Sequence, residues 1–192
     1  MNSKVKSGAK KGGDSMSTQN RKQNRKLFPM LVTLALLIAI EIILSRFLSI
    51  AQWNIKFSFA FIPVVIAGIL FGPIASAAVS GISDFLGAIL FPIGAYFPGF
   101  TLTSMLTGFV FGFFLYKKQS LGRIIAATMI NQVFGSLLLN SYWLSIISGT
   151  SFFAQLSARS VQVVAMSIVT IVVVQLISKE LMPRLRHARA HE

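Results

Sequence analysis

The sequence predicts an all-α integral membrane protein, a bundle of six transmembrane helices with both termini cytoplasmic, and three observations carry that prediction. Of 192 residues, 54% are hydrophobic and only 12% are charged, with a mean hydropathy of +0.72. This is more apolar side chain than a soluble domain of this length hides around one core, so lipid must act as solvent. Apolar runs fall near 28–48, 57–72, 74–91, 99–116, 123–140 and 159–179, and a bilayer core of about 30 Å takes roughly 20 apolar residues per helix. The basic residues are also unevenly divided between the two ends of these runs.

The chain begins with a polar stretch, residues 1–26, carrying Lys4, Lys6, Lys10, Lys11, Arg21, Lys22, Arg25 and Lys26 against the single acid Asp14. It has too little apolar area to fold, and the charge run reads as a solvated cytoplasmic tail rather than a nucleic-acid or anionic-lipid binder. The apolar run after it is too long for a secretory signal, and Ser45-Arg46 stands where a small-residue cleavage site would be. Residues 27–182 are expected to form the membrane domain, and 183–192 a second basic cytoplasmic tail.

Within the membrane domain the second and third runs are divided only by Phe71-Gly72-Pro73, with Gly stopping one helix and Pro starting the next. Lys117, Lys118 and Arg123 separate the fourth run from the fifth, and Lys179, Arg184, Arg186 and Arg189 follow the last. With the N-terminus inside, fifteen of the eighteen basic residues are cytoplasmic, as the positive-inside rule requires. Arg46, Lys56 and Arg159 are left on the outer side, in or beside loops of one membrane face. Each either snorkels to lipid headgroups or faces an anionic ligand.

Two acids, Glu41 in the first helix and Asp84 in the third, lie at membrane depth and should face the bundle interior. With no neighbouring histidine or second carboxylate, a structural role is favoured over a proton relay. Ala35 and Ala39, Gly68 and Gly72, and Gly108 and Gly112 place small residues on helix faces for close packing.

Catalytic chemistry is missing from the sequence. There is no GxxxxGK[ST] loop, no HExxH and no Ser/His/Asp set; His187 and His191 lie in the polar C-terminal stretch, and the absence of cysteine removes thiol nucleophiles and thiolate metal sites. No cofactor, metal or nucleic-acid partner is expected, and uphill transport would draw on another subunit or an ion gradient. The distinctive segment is instead Phe91-Pro92-Ile93-Gly94-Ala95-Tyr96-Phe97-Pro98-Gly99-Phe100-Thr101, whose prolines and glycines forbid one continuous helix while keeping four aromatic rings. Such rings suit a flat heteroaromatic ligand or an interfacial aromatic belt. Asn140, Tyr142 and Trp143 are read as a second aromatic and amide cluster in the outer loop after the fifth helix.

The runs SRFLSI (45–50), SFAFIPVVIAGILFGP (58–73), SDFLGAILFPIGAYFPGFTLTSMLTG (83–108) and NSYWL (140–144) resemble the folate-specific S components of energy-coupling factor (ECF) transporters, over roughly residues 27–182. FPIGAYFPGFT is the specific element of that resemblance. It implies the six-helix S-component fold in the cell membrane, capture of folate from outside, and delivery by docking on a shared T component driven by two ATPase subunits. Ala35 and Ala39 would then meet the T component. Arg46 and residues Tyr96, Phe97, Pro98, Gly99, Phe100 and Thr101 would line the pocket, with Asn140, Trp143 and Arg159 on its far side and Lys56 as a further cation. The aromatic rings would sandwich the pterin or benzoate, Asn140 would bond a pterin edge, and the cations would meet the glutamate carboxylates. An S component for another vitamin, or a non-transporting membrane scaffold or regulator, are the alternatives to this reading.

Overall fold

A computed structural model describes residues 27–52, 55–92 and 96–190, without the side chains of 50–52, 55–57 and 181–190. The basic first 26 residues and Ile93 to Ala95 of the distinctive loop lie outside the described residues. Among the described residues six helices carry the fold: α1 (Leu27–Arg46), α2 (Phe61–Phe71), α3 (Pro73–Leu90), α4 (Pro98–Leu115), α5 (Leu121–Ser148) and α6 (Phe152–Ala190). Five have spans long and apolar enough to cross a membrane, that of α6 ending at Glu180, and α2 is a shorter apolar helix.

The chain divides into two units, Met1–Leu36 and Leu37–Glu192. In the first, the described residues are the opening turns of α1, where Thr33 Oγ1 donates to the Pro29 carbonyl at 2.9 Å. All further features belong to the second unit.

Between α1 and α2 lies an antiparallel ribbon, β1 (Ile50–Gln52) and β2 (Ile55–Phe57), with Ile50 opposite Phe57 and Ala51 opposite Lys56. The apolar run from residue 57 therefore becomes helical only at Phe61. The Ser58 hydroxyl accepts the Ala60 N–H at 3.2 Å and donates to the Leu44 carbonyl at 3.3 Å, holding the entry to α2 against α1. Pro63 falls in the first turn of α2, where its missing N–H costs no hydrogen bond.

Helices α2, α3 and α4 are knit through glycine. At the Gly72-Pro73 break, Gly72 takes φ 91°, a conformation open to a residue without Cβ, and Pro73 starts α3. A Cβ on Gly112 would stand 2.4 Å from Pro73 Cα, and one on Gly108 would stand 2.4 Å from the Ser76 carbonyl oxygen, so backbones touch where the small-residue spacing placed them. Ser76 Oγ donates to the Val64 carbonyl at 2.8 Å, tying α3 to α2.

Polarity is arranged inside out relative to a water-soluble protein. Ile74, Phe113, Phe134, Val161 and Val164 are exposed, while Ser80, Thr103, Thr128, Gln162 and Thr170 are buried. Lipid on the outside makes the exposed apolar face favourable, and the polar groups turn inward because hydrocarbon offers them no partner. A core of Val64, Val65, Ile69, Phe111, Leu115, Ile124, Ala127 and Val174 closes one end of the bundle.

Candidate ligand-binding site

Above that core, with Phe111 shared between them, is a cavity of about 260 Å³ with walls from all six helices. Its lining is dominated by hydrogen-bonding groups: Glu41 and Ser45 from α1, Asp84 from α3, Ser104 and Thr107 from α4, Thr128, Asn131, Gln132, Ser136 and Asn140 from α5, and Arg159 and Gln162 from α6. In an otherwise apolar bundle, polar side chains converging on one space mark a ligand site. Thr128 Oγ1, Asn140 Oδ1 and Arg159 Nε are buried there without a protein hydrogen-bond partner. Groups of this kind are costly unless a ligand or water satisfies them.

The shape of α5 explains how one helix supplies so much of the wall. Its middle, Asn131–Leu139, is π-helical, and the Asn140 N–H bonds to the Gly135 carbonyl five residues back. In an α-helix nine residues make two and a half turns, which would put Asn131 and Asn140 on opposite faces. At about 4.4 residues per turn, as i→i+5 bonding gives, Asn131, Gly135 and Asn140 come into line, and all three border the cavity. Asn131 is further fixed by donation from Nδ2 to the Thr107 carbonyl at 3.3 Å. On α6 ordinary helical spacing does the same for Arg159, Gln162, Met166 and Thr170.

The residues selected from sequence fall around this cavity in separate groups. Asn140 and Arg159 line it. Asn140 is helical and not part of an outer loop, because α5 continues to Ser148, and Arg159, expected in or beside a loop at the start of the last run, stands about two turns inside α6, which begins at Phe152. Tyr142 and Trp143 are likewise helical, in the last turns of α5. Thr101 is one hydrogen bond away from the cavity: its Oγ1 donates to Asp84 Oδ2 at 2.8 Å and lies 3.4 Å from the Tyr96 hydroxyl. Arg46 lies over Gly87, with Nη2 3.5 Å from the Asp84 carbonyl.

Pro98 opens α4, so Pro98, Gly99, Phe100 and Thr101 form its first turn instead of a loop. There Phe97 meets Trp143 at 5.4 Å and Phe100 at 6.3 Å between ring centroids. Trp143 lies against Gly99, where a Cβ would come within 2.6 Å of the indole, and its Nε1 donates to Thr103 Oγ1 at 3.1 Å. The rings of the distinctive segment thus engage one another beside the cavity. Lys56 occupies β2, and its side chain lies outside the described residues. Ala35 and Ala39 are both exposed on α1.

Sequence reasoning passed over most of the cavity wall. Glu41 and Asp84 were given a structural role, yet both border the cavity. Thr128, Asn131, Gln132, Ser136 and Gln162 were not singled out, although the signal was present as polar residues recurring every three to five positions through two apolar helices.

The family described as ECF transporter, substrate-specific component, matches residues 29–180. The chain belongs to this family. As an ECF substrate-specific component it is a multi-pass membrane transporter subunit and not an enzyme. It is similar to the folate transporter FolT of Clostridium novyi, 42% identical over 121 residues that span 62% of this chain and 70% of that one. It is also similar to the folate transporter FolT of Leuconostoc mesenteroides, 31% identical over 138 residues, 68% of this chain and 74% of that one. Among solved structures, a crystal structure of FolT bound with folic acid aligns with a TM-score of 0.75 at 32% identity, over 79% of this chain and 93% of that one. The S component of another bacterial ECF transporter aligns at 0.64 with 23% identity, over 85% of this chain and 98% of that one, which speaks to the fold alone.

Proposed function

We propose that this S component captures folate on the outer side of the cell membrane and holds it in the polar cavity at the centre of the six helices. The observation that carries the reading is the cavity itself, where Thr128 Oγ1, Asn140 Oδ1 and Arg159 Nε are buried without a protein hydrogen-bond partner, in a chain similar to a FolT bound with folic acid. At about 260 Å³ the cavity falls just below the ~300–1,000 Å³ of pockets that enclose drug-sized ligands. Folate would place one end there and extend past Thr101 and Tyr96 toward the aromatic cluster. In this pose Asn140 bonds a pterin edge, and Tyr96, Phe97, Phe100 and Trp143 stack on the flat rings. Pro98 and Gly99 shape the turn that presents them, Thr101 contributes a hydroxyl, and Arg46, Lys56 and Arg159 meet carboxylates.

Both termini are cytoplasmic in this reading, supported by the partition of fifteen basic residues to one side. The ligand is delivered by docking on an ECF T component with two ATPase subunits, Ala35 and Ala39 supplying small side chains for a close helix contact. The test is calorimetric titration of the purified protein with folate, riboflavin, biotin and pantothenate. Folate alone should bind; binding of another vitamin in its place, or of none, would overturn the assignment.

A further inference from the structure

A second cavity, of about 340 Å³, opens at the other end of α4, where the turn into α5 meets α6; it is lined by Gln119, Leu121, Ile124, Gln175, Ser178 and Lys179. The substrate reading makes no use of it. Ser178 is 5% exposed, and its Oγ has no hydrogen-bond partner. Gln119 donates from Nε2 to the Leu115 carbonyl, which fixes the amide orientation and leaves Oε1 buried without a partner. The cavity therefore offers the Ser178 hydroxyl as a donor and the Gln119 amide oxygen as an acceptor, both unanswered by protein.

Its electrostatics favour an anion. Ser120, the residue before α5, is extended and makes no side-chain cap; its carbonyl accepts the Arg123 and Ile124 N–H groups, and the Leu121 and Gly122 N–H groups at the positive end of this 28-residue helix have no side-chain cap. Lys179 lines the cavity, Lys117, Lys118 and Arg123 belong to the turn and the start of α5, and among the described residues no carboxylate lines the cavity, Glu180 beside Lys179 being exposed. Beside these groups Leu121, Ile125, Val172 and Leu176 present exposed apolar side chains on α5 and α6, along the helix faces that acyl chains cover.

We infer that this cavity binds the headgroup of an anionic phospholipid bearing a hydroxyl, of the phosphatidylglycerol kind. Lys179, Ser178 and the α5 N-terminus receive the phosphate, Gln119 Oε1 accepts from the headgroup hydroxyl, and the acyl chains run along Leu121, Ile125, Val172 and Leu176. A free phosphate would satisfy the donors but leave both the amide acceptor and the apolar strip unused. The site is independent of the vitamin the protein carries.

Native mass spectrometry and thermal unfolding of delipidated protein, titrated with phosphatidylglycerol, phosphatidylcholine or glycerol phosphate, test this. Phosphatidylglycerol should be retained at one equivalent and raise the unfolding temperature, and the other two should not. Ser178→Ala changes no charge, and Lys179→Gln alters an exposed side chain; each should weaken retention about tenfold with folate titration unchanged. Equal retention of phosphatidylcholine, an equal effect of glycerol phosphate, or parental retention by Ser178→Ala would overturn the proposal.

Discussion

The two sides of the bundle are built on opposite principles. Helices α2, α3 and α4 meet through Gly68, Gly108 and Gly112, with backbone against backbone and little room for change. Helices α5 and α6 meet across polar side chains and a cavity, and α5 departs from α-helical geometry over Asn131–Leu139 to aim those side chains inward. Close packing suits a scaffold, because a steric mismatch of one methyl is felt at once. A π-helical wall suits recognition, because it presents amides that α-helical geometry would turn away.

The largest expected effect lies on the packed side. Gly112→Leu forces a side chain into the Pro73 backbone and should cost about 3 kcal/mol or more, seen as a lowered unfolding temperature and loss of a monodisperse peak in detergent. Gly122→Ala, where nothing lies within 4 Å of the added carbon, should leave stability unchanged or raise it by up to about 1 kcal/mol. Equal tolerance of both would break the contrast between the two sides.

Next in size is transport. Ala39→Trp adds bulk to an exposed position of α1, so vitamin uptake by the assembled transporter should fall to background while the isolated subunit binds folate as before. Loss of binding with assembly retained would make Ala39 an internal packing residue instead.

The smallest effect is expected at the seam between the two sides. Trp143→Phe keeps a ring against Gly99 but removes the hydrogen bond to Thr103, which should cost about 1 kcal/mol of stability and less than about tenfold in folate affinity. A larger loss of affinity with unchanged stability would place the indole N–H in direct contact with ligand.

How far this contrast was legible in the sequence follows from the geometry of each side. The glycine seams could be read because contact at i and i+4 is a property of one helix face, and Gly68, Gly108 and Gly112 occupy such positions. The Phe71-Gly72-Pro73 break was legible for the same local reason. The cavity wall was not, since Asn131 and Asn140 stand on opposite faces at 3.6 residues per turn and join only through the π-helical segment. The ribbon at 50–57 also escaped notice, because its short apolar strands merge with the flanking helical runs. Arg159 stands out in the sequence as a cation that topology does not require, at the start of the last apolar run, whereas its burial depends on α6 starting earlier, at Phe152.

That arginine gives the most direct test of the central claim, that the polar cavity is the folate pocket. Arg159→Met keeps length and apolar volume while removing the buried charge, so the unfolding temperature should stay at or above that of the parent. Calorimetric titration with folate should then show affinity lower by roughly ten- to a hundredfold, the loss of one charge-assisted hydrogen bond of about 1.5–3 kcal/mol. A folded Arg159→Met protein that binds folate as tightly as the parent would contradict the account.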